Sequence, residues 1–211
     1  MSDSAGPQRG FFDIWSHVYD LPPVQAAIYH PVHDAVLGEL RAHPAPRILD
    51  VGCGTGDLTA RLRAELRTEV VAGCDFSAGM LEQAHARTDA VRWLQGDATR
   101  LPFDDGAFDA VVSTEAFHWF PDPDAALREF SRVLAPGGRL LVALVNVRVP
   151  ATSRLAHAGS KALGQPARWP TRAEMADRVR AAGFAVDSQK RIFRLGGILI
   201  PTVLTVGVKP D

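Results

Sequence analysis

The chain has 211 residues, of which 46% are hydrophobic and 22% are charged, and its formal net charge is −1. This composition is that of an ordinary globular domain, and the balanced charge provides no excess of Lys and Arg for nonspecific binding to nucleic acid. The polar start of the chain lacks the pattern of a secretory signal, and no apolar stretch is long enough to span a bilayer. We therefore expect a cytoplasmic protein, a monomer or homodimer, without nucleic-acid partners or an integral membrane segment.

Residues 1–46 are predicted to form a helical lid, and residues 47–211 a ligand-binding domain. Apolar side chains recur at helical spacing in two segments of the lid, and prolines bound both segments. In the first segment, Trp15 and Tyr19 would either face the ligand or anchor the lid by hydrophobic contacts. The second segment is a helix over about residues 24–42.

The histidines and cysteines do not form a metal-binding pattern. His30 and His33 lie three residues apart and could reach one ion, but no further ligands accompany them. We therefore predict no metal site and expect both histidines on the helix surface. Cys53 and Cys74 have no paired spacing, which predicts buried free thiols in a reducing compartment.

From residue 47 onward, short apolar strands alternate with helices. Strands are predicted at 47–51, 69–73, 91–94, 108–113, 139–145, 185–193 and 202–208, and helices at 58–66, 78–86, 125–134 and 171–182. The last helix opens with a capping box of Thr171 and Glu174. The alternation indicates an α/β fold with a parallel sheet covered on both sides, and the two last strands are close enough to pair antiparallel.

A glycine turn, Gly52-Cys53-Gly54-Thr55-Gly56, follows the first strand and precedes a helix. Glycines let the backbone turn sharply and approach a ligand at the carboxyl edge of an open sheet. The spacing differs from the dinucleotide fingerprint, whose last glycine is replaced here by Asp57. Carboxylates at Asp50 and Asp57 suit a ligand with positive charge better than a pyrophosphate. The pattern favours a cationic nucleoside, although a tight turn without any ligand would need the same glycines.

Polar groups also follow the next two strands. Asp75 lies about 20 residues after the glycine turn, where a carboxylate can accept hydrogen bonds from two ribose hydroxyls. Asp97 can accept from an adenine amino group, and the Ala98 amide can donate to a ring nitrogen. Phe76 and Met80 either flank the base or belong to the core.

The segment 113–120 comes directly after the fourth strand and is expected above the reacting end of the ligand, with Glu115 among the ligand contacts. His118 is the candidate catalytic base, because the unperturbed pKa of histidine, about 6.5, suits proton removal at neutral pH. Alternatively, His118 packs beside Trp119 and forms local hydrogen bonds.

Together these segments resemble the class I S-adenosylmethionine-dependent methyltransferases, and more narrowly the small-molecule group that includes the ubiquinone and menaquinone biosynthesis enzymes. The resemblance covers about residues 47–145 and is carried by ILDVGCGTG (48–56), DFSAGML (75–81), GDA with LPF (96–98 and 101–103), FD (108–109) and RVLAPGG (132–138). It implies a Rossmann-like sheet of order 3-2-1-4-5-7-6 with an antiparallel last strand. It also implies S-adenosyl-L-methionine as methyl donor, with Asp75 at the ribose, Asp97 and Ala98 at the adenine, and Gly52 to Gly56 at the methionine portion.

The resemblance leaves the methyl acceptor open. The quinone-ring enzymes usually carry an acidic residue at the end of strand five, where this chain has Leu144, Val145 and Asn146. We therefore expect O- or C-methylation of a small apolar or aromatic metabolite, with quinones as one option. A catalytically silent S-adenosylmethionine-binding module stays open. A nicotinamide-dependent oxidoreductase is disfavoured by the glycine spacing and the aspartates.

Overall fold

The computed structural model describes residues 29–145, 169–193 and 202–211. In chain order the elements are α1 (His30–Ala42), β1 (Arg47–Val51), α2 (Asp57–Glu65), β2 (Val70–Asp75), α3 (Ala78–Arg87), β3 (Arg92–Gln95), β4 (Phe108–Thr114), α4 (Pro123–Val133), β5 (Leu134–Val145), α5 (Arg172–Ala181), β6 (Ala185–Ile192) and β7 (Thr202–Val208). Within these ranges no helix has both the length and the apolarity needed to cross a membrane.

The strands form one seven-stranded sheet in the order β3-β2-β1-β4-β5-β7-β6. Strands β1 to β5 pair in parallel, whereas β7 runs antiparallel to both β5 and β6. The predicted strand order and the antiparallel last strand are therefore confirmed. Because parallel strands end at the same edge, the segments that follow β1, β2, β3 and β4 meet there.

Apolar residues fill both faces of the sheet, since neighbouring residues of a strand point to opposite sides. On one face, Ile48 of β1 and Leu141 of β5 pack in a core cluster with residues of α1, α2 and α3. On the other face, Leu49 and Leu140 pack in a second cluster with residues of α4 and α5. This double burial explains why the central strands read as continuous apolar runs.

Helix α1 belongs to the core of the sheet domain. Its residues Val32, Val36, Leu37 and Leu40 are at most 2% exposed, and all four pack in the cluster that contains Ile48. Helix α1 falls within the lid predicted over residues 1–46, but it packs against the sheet. The rest of the predicted lid, residues 1–28 with Trp15 and Tyr19, lies outside the described residues.

A buried carboxylate attaches α1 to β5 and β6. Glu39 is 4% exposed, and it accepts hydrogen bonds from Arg139 Nη2 at 2.9 Å and Lys190 Nζ at 2.6 Å. Burial alone would raise the pKa of Glu39, but the hydrogen bonds and charges of Lys190 and Arg139 outweigh it and hold the pKa below its ordinary value of 4.5. The charged form of Glu39 therefore stabilises the folded protein.

We expect Glu39→Gln to lower the free energy of unfolding by roughly 1–3 kcal/mol at neutral pH, because Arg139 loses a buried anionic partner. A depressed pKa contributes stability above the ordinary value of glutamate, and this stability is lost as the pH falls through the folded-state pKa. Urea unfolding at neutral pH and below about pH 4 should therefore show a difference that shrinks in acid. Glu82→Gln, at an exposed position of α3, is the control and should match the wild type. A difference of equal size at both pH values would contradict the assignment.

Candidate active site

The glycine turn joins β1 to α2 at the carboxyl edge of the sheet. Gly52, Gly54 and Gly56 have φ angles of +73°, +55° and +80°, in the left-handed region that favours glycine. The amide of Gly52 donates to the carbonyl of Cys74 at 2.8 Å, which attaches the turn to the end of β2. The backbone shape predicted from the three glycines is therefore present.

The three glycines meet different surroundings. A Cβ atom on Gly52 would lie 2.3 Å from Cβ of Ala116, and one on Gly56 would lie 2.5 Å from Cη2 of Trp93. Within the described parts of the chain, a Cβ on Gly54 would meet nothing within 4 Å. Packing of the chain itself therefore requires Gly52 and Gly56, whereas Gly54 borders the space that a ligand can use.

Asp75 is buried beside this turn, with 7% exposure. Its Oδ2 accepts from the Gly54 amide at 2.9 Å, and its Oδ1 accepts from the Ser77 amide at 2.9 Å. Burial raises the pKa of Asp75, and the backbone hydrogen bonds offset only part of that effect. Since a carboxylate oxygen has two acceptor positions, each oxygen can also accept from a hydroxyl group, as the predicted ribose contact requires.

Asp50 is more deeply buried, with 1% exposure at the end of β1. Its Oδ2 accepts from Thr59 Oγ1 at 2.7 Å, while its Oδ1 is buried and accepts no hydrogen bond from the described residues. Burial raises the pKa of Asp50 to about 7; the Thr59 hydroxyl opposes this, and the charge of Asp75 adds to it. A buried carboxylate oxygen without a donor is costly, which makes this a site for a cationic or hydrogen-bond-donating ligand group.

Asp57 has its charge balanced inside the protein. Its Oδ2 lies 3.3 Å from His33 Nδ1 and 3.6 Å from His30 Nε2, and its Oδ1 accepts from Arg87 Nη1 at 3.2 Å. The contact with His33, helped by Arg87 and His30, holds the pKa of Asp57 below its usual range. Asp57 thus has cationic or titratable side chains of the protein beside it, and the expectation that it suits a cationic ligand stays a prediction.

The histidines of α1 differ from each other. The side chain of His30 is 43% exposed. His33 is 5% exposed and packs against Asp57, so that the prediction of two surface histidines is wrong for His33. Among the described residues, no group of three or more His, Cys, Asp or Glu side chains could hold a metal ion. Both cysteines are free thiols. Burial raises the pKa of Cys53 well above its ordinary value, and it raises the pKa of Cys74 to about 12. They are therefore neutral at physiological pH.

The turn after β3 lies next to Asp75. The Gly96 amide donates to the Asp75 carbonyl at 3.0 Å, and Asp97 Oδ1 accepts from the amide and the hydroxyl of Thr99, both at 2.8 Å. Asp97 is exposed, whereas Ala98 is 9% exposed. The carboxylate of Asp97 is therefore held by its own turn at the edge of the sheet where Asp75 also lies.

The other two residues predicted to contact the adenine lie at the start of α3. Phe76 is partly buried, and its carbonyl accepts from Gln95 Nε2 at 2.9 Å. Met80 is 6% exposed, and its amide donates to the Ser77 hydroxyl that caps the helix. Both residues thus follow Asp75 closely in the chain, and Met80 lies largely inside the protein.

The segment after β4 covers the glycine turn, as the contact between Ala116 and Gly52 shows. Glu115 has a φ of +52°, and among the described residues it is the only one other than glycine with a positive φ. Its amide donates to the Ala143 carbonyl at 2.8 Å, and its Oε1 accepts from Thr202 Oγ1 at 3.4 Å. A backbone strained in this way is typical of residues that a functional site holds in place.

His118 lies in an aromatic cluster of this segment. It is 5% exposed, its ring stacks on Trp169 with centroids 4.4 Å apart, and the centroid of Trp119 lies 4.9 Å away. The predicted packing of His118 beside Trp119 is therefore present. Trp169 is not predictable as a partner of His118 from the sequence, because no spacing pattern connects two residues so remote in the chain.

A second opening lies at the other edge of the sheet. This cavity of about 480 Å³ is lined by Arg47, Val70, Arg92 and Phe108, the first residues of the first four strands. The guanidinium of Arg47 is bound to a side chain of the protein there, since it donates to both carboxylate oxygens of Asp109 at 3.0 and 2.7 Å. Open α/β sheets bind ligands at the carboxyl ends of their strands, so that the glycine turn is the better candidate.

Residues 49–142 match a family profile described as a methyltransferase domain. The matched range includes the glycine turn, Asp75, Asp97 and the segment after β4.

Curated relatives and solved structures show the same similarity. The demethylmenaquinone methyltransferase of Thermus thermophilus is 48% identical over 109 residues, which cover 49% of this chain and 50% of the relative. The enzyme of that name from Mycobacterium marinum is 34% identical over 197 residues, which cover 84% of this chain and 81% of the relative. The chain spans about half the length of the first curated relatives that it matches. A chain of the solved complex between the Haloferax volcanii Trm112 methyltransferase activator and the putative methyltransferase has 27% identity and a TM-score of 0.79, covering 95% of this chain and 98% of that chain.

We expect Asp50→Asn to change how stability depends on pH. A pKa raised from 3.8 to about 7 means that the folded protein holds this proton more tightly than the unfolded chain, so that this carboxylate lowers stability as the pH rises between those values. The ligand-free variant should therefore be more stable than the wild type at about pH 8, by at most roughly 2–4 kcal/mol, and the gap should narrow at about pH 5.

Thermal unfolding at both pH values provides the measurement. Asp109→Asn is the control of opposite sign, because Arg47 holds the pKa of Asp109 below its usual range and this variant should be the less stable one at about pH 8. A gap between wild type and Asp50→Asn that does not change with pH would contradict the burial of a titrating carboxylate.

Proposed function

Because the chain belongs to the class I S-adenosylmethionine-dependent methyltransferases, we propose that it transfers a methyl group from S-adenosyl-L-methionine to a small apolar molecule of the quinone class. The observation that carries this proposal is the pair of buried carboxylates, Asp50 and Asp75, beside the open position at Gly54. Within the described part of the chain, no Arg, Lys or His forms an ion pair with either carboxylate. The names of the relatives support the acceptor class.

The residues at the glycine turn fit the proposed methyl donor. Its ammonium group would supply a donor to Oδ1 of Asp50, which has no donor among the described residues, and its ribose hydroxyls would donate to Asp75. The adenine would lie at Asp97 and Ala98, and the methionine portion along Gly52 to Gly56. The absence of phosphate groups from this donor agrees with a site that presents acidic rather than basic side chains.

The reaction requires little chemistry from the protein. When bound, S-adenosylmethionine supplies an electrophilic methyl group on a sulfonium that departs as a neutral thioether. The acceptor atom attacks the methyl carbon in line as the carbon–sulfur bond breaks, and the acceptor loses a proton. The chain contributes alignment and the exclusion of water, for which the segment over Gly52, with Glu115 and the aromatic cluster, is well placed.

His118 remains the proposed base for that proton, with a packing role as the alternative. Its place on the segment that covers Gly52 supports the first role, and its stacking on Trp169 supports the second. The lid role of residues 1–28, the ligand contacts of Trp15 and Tyr19, the cytoplasmic location and the monomeric or homodimeric state also stay predictions.

We expect the wild type to bind S-adenosylhomocysteine in calorimetric titration, and Asp75→Asn to weaken binding about 10- to 100-fold, because hydrogen bonds to a charged acceptor are lost. Asp89→Asn, at an exposed position beyond α3, is the control and should bind as the wild type does. Binding of NADH without binding of S-adenosylhomocysteine would instead support a nicotinamide-dependent oxidoreductase. Binding without methyl transfer to any acceptor of a panel would support a silent module.

We expect His118→Gln to lower kcat about 10²- to 10⁴-fold toward a short-chain reduced demethylmenaquinone if the imidazole accepts the proton. The same variant should lose the acidic limb of the pH–rate profile and keep the wild-type affinity for S-adenosylhomocysteine. Trp169→Phe preserves an aromatic stacking partner and should keep that limb. A pH–rate profile unchanged by His118→Gln would assign His118 to packing alone.

A further inference from the structure

The segment that joins β3 to β4 carries the proposed adenine contacts but contains no helix or regular strand. Residues 96–107 form turns and one isolated bridge between Asp97 and Arg100. A segment of this kind has no helical or sheet hydrogen bonds to fix its shape. Its conformation must therefore come from contacts with its surroundings.

Two charged residues of α4 provide these contacts. Arg132 donates from Nη2 to the Leu101 carbonyl at 3.0 Å, and from Nη1 to the Phe103 carbonyl and to Asp105 Oδ1, both at 2.8 Å. Glu129 accepts from the Leu101 amide at 2.8 Å through Oε2. The two side chains also bind each other, with Arg132 Nε donating to Glu129 Oε1 at 2.8 Å. Both polar backbone groups of Leu101 are thus bound to one ion pair.

The ion pair is partly shielded from water and stays charged. The side chains of Glu129 and Arg132 are 19% and 31% exposed. The hydrogen bond from Arg132 holds the pKa of Glu129 below its ordinary value, and the carboxylates of Glu129 and Asp105 raise that of Arg132. A guanidinium is the side chain that can serve several acceptors at once in a fixed planar geometry, which an ammonium group cannot do.

Only one short turn separates this ion pair from the proposed adenine site. The Arg100 amide donates to the Asp97 carbonyl at 2.9 Å and closes the turn immediately before Leu101. Inside the turn, Thr99 donates twice to Asp97 Oδ1. The direction of the Asp97 carboxylate and of the Ala98 amide is therefore set at one end by Gly96, bound to β2, and at the other end by Leu101, bound to α4.

We propose that Glu129 and Arg132 are positioning residues for the nucleobase, which hold the turn so that Asp97 and Ala98 select adenine by its exocyclic amino group. This inference rests on the proposed function, because it presupposes an adenine nucleoside at the turn. Neither residue needs to touch the ligand, and the effect passes through Leu101.

The test compares the dissociation constants of S-adenosylhomocysteine and S-inosylhomocysteine, which has a carbonyl in place of the amino group. The wild type should prefer the adenine compound, and Asp97→Asn should remove most of this preference. Arg132→Lys and Glu129→Gln should each reduce the ratio of the two constants at least about fivefold, because one amino-group hydrogen bond accounts for a preference of about that size or more. Amide hydrogen exchange at Thr99 to Leu101 should become faster in both variants.

Two controls separate positioning from general stability. Arg178→Ala removes a different ion pair, between Arg178 of α5 and Asp124 of α4, and Glu39→Gln destabilises the opposite face of the sheet. Both should keep the wild-type ratio. If Arg132→Lys and Glu129→Gln also keep it while Asp97→Asn loses it, the positioning role is overturned and the proposed function stands. If the wild type binds neither compound, the proposed function fails.

Discussion

Two buried carboxylates at one edge of the sheet are the constraint on which the rest of the site depends. Asp50 and Asp75 end neighbouring parallel strands, so that the strand pairing itself brings them together. Burying negative charge without a partner is costly, and part of that cost is visible in the raised pKa of Asp50. The fold tolerates this cost because the core clusters on both faces of the sheet are large. A ligand with a positive charge and hydroxyl groups would supply the charge and the hydrogen-bond donors that these carboxylates can still accept.

The surroundings of the carboxylates show how a rigid frame and an open position are combined. Gly52 and Gly56 fit closely against Ala116 and Trp93, so that neither position has room for a side chain. Gly54, between them, donates to Asp75 and faces space that the described residues leave open. The turn after β3 is then fixed from both ends, by β2 and by α4. The site is therefore built from backbone segments whose positions are set by packing and ion pairs elsewhere.

The sequence predicted the sheet because its signals are local: apolar strands, glycine turns and capping residues such as Thr171, whose capping box is present. It also predicted the aspartates that end strands, since their positions follow from the strands. It could not predict pairings between remote residues. The contacts of Asp57 with His33 and Arg87, and of His118 with Trp169, arise only when the chain folds. The position of α1 was equally unpredictable, because an apolar helix face is expected both for a lid and for a helix packed on the sheet.

The contacts between Asp57 and the histidines of α1 join the start of α1 to the start of α2. Asp57 directly follows Gly56, and it holds His30, the first residue of α1, within 3.6 Å. The N-terminal end of α1 is therefore held beside the end of the glycine turn, so that the positions of α1 and of the turn depend on each other.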